Sequence, residues 1–259
     1  MDELTDYLSY ALRILKNVGL ACEGITTPGG FGNRVLPELA QATLQSCRDV
    51  FAAEIPHYFR HAFSSGDQSV APRVEYASGL DGPDPKCVVS IIGGTGDWTG
   101  NWDASRPGEP DRYITADLSQ GRMVDVIERG EPAILVSHWT GIYFNGKEEG
   151  FKTFQEVVRR LHAKYDHLIW MKLCEIARYW AARELTRIER SGGEITFAAP
   201  FATSRFTVCA AAQANVRPSL TVAGKPKALR EVARPLDLKP GTWTRDRKGL
   251  IVCFDLPKG

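Results

Sequence analysis

The chain has 259 residues, 43% of them hydrophobic and 24% charged, with a formal net charge of +1. That balance suits a soluble globular protein built as one large α/β domain, or as one moderate domain with a small appendage. It excludes a nucleic-acid partner held by bulk electrostatics, and no apolar stretch is long enough to span a bilayer.

The start, Met1-Asp2-Glu3-Leu4-Thr5-Asp6, has neither the basic nor the apolar region of a signal peptide, so a cytoplasmic protein with no membrane partner is expected. Apolar residues at Leu4, Leu8, Ala11, Leu12 and Leu15 share one helical face, which predicts a helix over Glu3 to Val18 with Gly19 as its stop. Ala21 to Thr26 is a short strand. It runs into the glycine-dense loop Thr27-Pro28-Gly29-Gly30-Phe31-Gly32-Asn33, which lacks the Lys-Ser/Thr of a phosphate loop and the dinucleotide spacing. That loop reads either as a tight turn or as a place where a ligand meets the backbone.

Leu36 to Phe51 is a second amphipathic helix, and Ile55 to Phe63 is ambiguous between helix and strand. Within it His57 and His61 are four apart, but no His-Glu-x-x-His pattern surrounds them and no metal site is expected there. Arg73 to Ser78 is a strand between loops. Cys87 to Ile92, an unbroken β-branched run, is a buried strand, and it ends in a loop carrying Asp97, Trp98, Asn101, Trp102 and Asp103. Two tryptophans with two aspartates make either a sugar platform or an aromatic cover for the strand end.

Asp117 to Arg129 is a helix, and Ala133 to His138 a buried parallel strand that ends on a titratable imidazole. Open α/β sheets and barrels do their chemistry where strands end, so His138, with Trp139 beside it, reads either as a catalytic candidate or as a histidine hydrogen-bonded at a strand terminus. Its loop continues to Gly146. Phe151 to Lys164 is a helix, with His162 and His167 solvated near its end; Leu168 to Trp170 is a short strand, and Lys172 to Arg190 a long helix. Beyond Gly192-Gly193 the pattern changes to short β-rich runs at 195–197, 205–209, 219–222 and 250–254, a small antiparallel module. The expected division is 1–191 for the α/β domain and 192–259 for the β module. The six cysteines form no C-x-x-C pair and read as scattered, small apolar residues.

Taken in order, Thr26-Thr27-Pro28-Gly29-Gly30, Asp97-Trp98, Leu135-Val136-Ser137-His138 and the helix opening Trp170-Met171-Lys172-Leu173-Cys174-Glu175-Ile176 resemble the later part of a NodB-like polysaccharide deacetylase, over roughly Leu4 to Glu189. The resemblance implies an incomplete or distorted (β/α) barrel of the deacetylase type. It implies Thr27, Pro28, Gly29, Asp97, Trp98 and Trp139 as substrate-binding residues and a saccharide as ligand. In that family a divalent metal and an aspartate activate water for attack on an N-acetyl carbonyl, and the counterpart of His138 protonates the leaving amine.

Two departures stand out. Thr26 occupies the place of the family's arginine. The family's Asp-Asp and His-x-x-x-His motifs fall before its first helix, where this chain begins, so zinc or another divalent ion is expected only if those motifs are supplied from elsewhere. The rival expectation is a non-catalytic carbohydrate-binding or assembly protein, or an inactive relic; a homo-oligomer is compatible with either.

Overall fold

The structure is a computed structural model, and it describes residues 2–27, 33–62, 68–96, 103, 108–213 and 215–259. The chain is a mixed α/β protein that divides into two compact units: Met1–Tyr76 with Cys87–Ala177, and Ala77–Lys86 with Arg178–Gly259.

The first unit opens with α1 (Asp2–Asn17), which lays Leu4, Leu8 and Leu12 onto α2 (Leu36–Phe51). A lysine ammonium finishes this packing. Lys16 Nζ donates to the Val50 carbonyl at 2.5 Å, satisfying an acceptor that the last turn of α2 leaves open. Between the two helices runs β1 (Gly24–Thr26), and after them come β2 (His57–Ala62), β3 (Arg73–Ser78) and β4 (Lys86–Gly93). They form an open sheet in the order β1-β2-β4-β3, in which β1 with β2 and β2 with β4 are parallel. Every residue of β4 after Lys86 is buried, as expected for an inner strand covered on both faces. The ambiguous stretch around His57 is therefore a strand. Its Tyr58 packs with Leu39, Ala40 and Val88 in the core, and that tertiary burial decides a segment whose periodicity does not.

Gly24 fits only because it lacks a side chain. A Cβ there would lie 2.4 Å from the His57 carbonyl oxygen and 2.6 Å from its imidazole. That close approach lets β1 and β2 pair in register, with Gly24 opposite His57.

The remaining helices of this unit are α3 (Arg122–Glu128), α4 (Trp139–Tyr143), α5 (Glu149–Lys164) and the first part of α6 (Leu173–Leu185). A second core of Tyr113, Ile114, Met123, Val124, Val157, Leu161 and Tyr165 joins α3 to α5. Arg160 braces it: Nη1 donates to Asp111 Oδ1 at 2.5 Å and to the Ile114 carbonyl at 2.7 Å, and Nε to Glu156 Oε1 at 2.7 Å.

Four expectations differ here. The helix expected from Asp117 begins only at Arg122, because Asp117 folds back on its own turn, accepting from Thr115 Oγ1 at 2.5 Å and from Ser119 N at 3.1 Å. Residues 133–138 run extended without being buried: 134–137 are half-buried and Ala133 and His138 exposed, with a single bridge at Val136 and no place in the four-stranded sheet. Residues 168–170 form no strand. The last helix ends at Leu185 rather than Arg190. Residues Arg187–Ser191 are instead β5, paired antiparallel with β6 (Glu194–Ala198) across the turn at Gly192-Gly193, and hairpin pairing overrides helical propensity there.

The second unit contains that hairpin together with β7 (Thr203–Ala210), β8 (Leu220–Val222), β9 (Lys225–Lys227), β10 (Arg230–Glu231), β11 (Thr242–Asp246) and β12 (Gly249–Leu256). Its larger sheet runs β10-β11-β12-β7. The pairs around β12 are antiparallel and β10 with β11 is parallel. Phe197, Phe206 and Phe254 meet edge to face, with ring centroids 5.5–6.2 Å apart, over Ala182, Ala199 and Leu256. No helix of the described residues is long and apolar enough to cross a membrane.

Candidate functional site

Because β1, β2 and β4 are parallel, they all end on the same edge of the sheet. Thr26 and Ile91 both stand opposite Phe59 of β2, so Thr27 and the Gly93-Gly94 turn leave side by side. The segment 133–138 comes to this same edge. Gly94 N donates to the Ile134 carbonyl at 2.7 Å, and Val136 N donates to Thr95 Oγ1 at 3.1 Å. Arg122, itself buried, holds the turn by donating through Nε to the Gly94 carbonyl at 2.8 Å. Three of the stretches singled out in the sequence thus converge at one strand edge, which is where parallel α/β sheets carry ligands.

Thr27 is buried, and its hydroxyl lies 3.0 Å from the Phe59 carbonyl and 2.7 Å from that of Arg60. Its side chain therefore ties β1 to β2. Pro28, Gly29, Asp97 and Trp98 lie outside the described residues.

His138 is exposed at the N-cap position of α4, with extended backbone, and its carbonyl accepts from Gly141 N at 3.0 Å. Trp139 follows it with 71% of its surface open to solvent, and Tyr143, one helical turn on, is 57% open. Their ring centroids are 6.2 Å apart at 71°, and both aromatic surfaces stand largely in water.

Beside them lies a pocket of about 650 Å³ that the sequence does not announce. It is lined by Ala133, Leu135 and Ser137 from the extended segment, Ile142 and Tyr143 from α4, Glu148, Phe151 and Phe154 from the start of α5, and Trp170. Phe151 and Phe154 stack at 6.5 Å, and Trp170 leans on His162 at 6.1 Å. The wall is drawn tight where α4 turns into α5. A Cβ on Gly150 would lie 2.2 Å from the Gly141 carbonyl oxygen, so the two helices meet backbone to backbone. The intervening turn holds Phe144, Asn145, Gly146 and Glu148 at positive φ, a conformation costly for Phe144 and Glu148. Signals for this pocket exist only in part: the aromatic residues are visible in the sequence, but α4 has no clear periodicity and the lining comes from stretches up to 37 residues apart (Ala133 to Trp170).

His57 lies in β2, not on a helix. Burial pulls its pKa below the usual 6.5, although the nearby Glu23 carboxylate opposes this. It is a neutral core imidazole whose Nδ1 has no hydrogen-bond partner. Among the described residues no three His, Cys, Asp or Glu side chains converge as metal ligands. Compared with protein-family models, with curated proteins and with solved structures, the chain finds no match.

Proposed function

We propose that this chain is a deacetylase-like, saccharide-recognising protein whose first unit is a distorted barrel segment. Trp139 and Tyr143 offer their rings to a sugar face, and His138 is the proton donor to the leaving group. The observation that carries the reading is the convergence at one strand edge of the Thr27 turn, the turn after β4 and the segment leading to His138. Sugar rings have apolar faces that stack on aromatic side chains while their hydroxyls remain in water or find polar partners. An imidazole that reaches the leaving group can act as its general acid.

Titration calorimetry with N-acetylated oligosaccharides, run beside an acetate-release assay with and without added zinc, tests this. The expected result is saccharide binding that Trp139→Ala weakens at least about fivefold, on the order of 1 kcal/mol for a lost aromatic contact. Acetate release, where present, should fall by about 10² or more in His138→Ala with binding retained. Binding without acetate release assigns the non-catalytic role. No saccharide binding by the unaltered chain, or full affinity in Trp139→Ala, overturns the reading.

A further inference from the structure

The pocket behind the aromatic platform has the wrong chemistry for a sugar ring. Its walls are mostly aliphatic and aromatic, and among the described lining residues the polar groups are the Ser137 hydroxyl, the Tyr143 phenol, the Trp170 indole N–H and the Glu148 carboxylate. A pyranose buried there would leave most of its hydroxyls without partners. At about 650 Å³ the space suits a small organic group. Trp170 is 61% exposed and Phe151 43%, so much apolar surface here still faces water and would gain by being covered. Among the described lining residues there is no lysine or arginine. A fatty-acid carboxylate would find no counter-ion and would face the Glu148 carboxylate instead. A neutral head rich in hydroxyl donors can hydrogen-bond to that same carboxylate. Tyr143 belongs both to the exposed platform and to the pocket wall, so one ligand can span the two.

We propose that this pocket takes the hydrocarbon tail of a neutral amphiphile whose sugar head lies on Trp139 and Tyr143; the ligand of the site is a sugar bearing an alkyl or acyl chain. The head in this proposal rests on the saccharide reading above, whereas the tail rests on the pocket alone.

The test is calorimetric titration of the full chain with hexyl, octyl and decyl β-glucosides below micelle formation. Glucose, decanoate and the matching alcohols serve as comparisons. Each added methylene that enters the pocket should tighten binding about fourfold, hence about 250-fold from hexyl to decyl. Decyl glucoside should bind more tightly than decanoate, and Phe154→Ala should flatten the dependence on tail length. As a second readout, a glucoside with a brominated tail should quench tryptophan emission, and Trp170→Phe should lose that quench. Equal affinity across the series, or an unchanged dependence in Phe154→Ala together with an unchanged quench in Trp170→Phe, overturns the tail site. Equal affinity with glucosides still bound overturns the tail site and leaves the saccharide reading standing. A steep dependence with alcohols binding as well as glucosides does the reverse.

Discussion

Glu131 shows how a single carboxylate can hold two segments. It accepts from Ser69 Oγ at 2.7 Å, from Val70 N at 3.0 Å and from Arg129 Nε at 3.2 Å, joining residues 69–70 to the turn before the extended segment. Burial alone would raise its pKa, but the hydrogen bonds from Ser69, Val70 and Arg129 together outweigh this and leave it lowered from 4.5. A lowered carboxylate pKa contributes stability that is present above about pH 4.5 and lost as pH falls through the folded-state value. Glu131→Gln should therefore lower the melting temperature at pH 7, by an amount equivalent to about 1–3 kcal/mol for charge-assisted bonds, and the gap from the unaltered protein should close as the pH drops below that value. A constant gap down to pH 3 would count against this account. Thr27→Val gives a narrower test. Removing a hydroxyl that bonds the Phe59 and Arg60 carbonyls should cost on the order of 1 kcal/mol in urea unfolding. Thr27 also marks a limit of sequence reading. Its place at a strand end is legible, but a threonine that binds sugar and one that fastens two strands are spelled alike.

Among the elements, α1, α2, α5 and β4 are legible because each has one dominant pattern: a helical stripe, or an unbroken β-branched run. Other stretches were decided by contacts that their own periodicity does not carry. β5 exists through β6, β2 through the core around Tyr58, and Asp117 shortens α3 through bonds within its own turn. The brace from Arg160 can be tested at this scale. Arg160→Lys keeps the charge but cannot reach Asp111, the Ile114 carbonyl and Glu156 together, so it should lose most of what Arg160→Ala loses, about 1–3 kcal/mol. Stability restored by lysine would show that charge alone matters. Gly24→Ala should destabilise by at least about 1–3 kcal/mol, since its methyl would overlap the His57 backbone and ring. Gly150→Ala should push α4 away from α5 and alter ligand affinity in the pocket without changing any lining residue.

For the molecule as a whole, buried titratable groups set the range of pH over which it is most stable. His57 is held neutral by burial, with a pKa below 6.5, so the unfolded chain takes up its proton first and stability declines as pH falls below about 6.5. Burial raises the Cys47 and Cys87 thiols from 9.0 to about 12, so the unfolded chain ionises first and stability declines as pH rises above about 9. The melting temperature should be flat between those limits and fall on both sides, with Cys47→Ala and Cys87→Ala together reducing the alkaline slope. A slope across pH 7–8.5 would contradict this assignment.

The second unit is also discontinuous. Residues 77–86, which join β3 to β4, belong with the C-terminal strands, and Lys258 Nζ donates to the Pro83 carbonyl at 3.2 Å across 175 residues. Arg187 Nη2 meets Asp81 there at 2.9 Å as well. On the ribosome this short stretch emerges with the first unit and must wait until residues 178–259 have been made. A ribosome that stops before those residues releases a chain whose 77–86 stretch still lacks them.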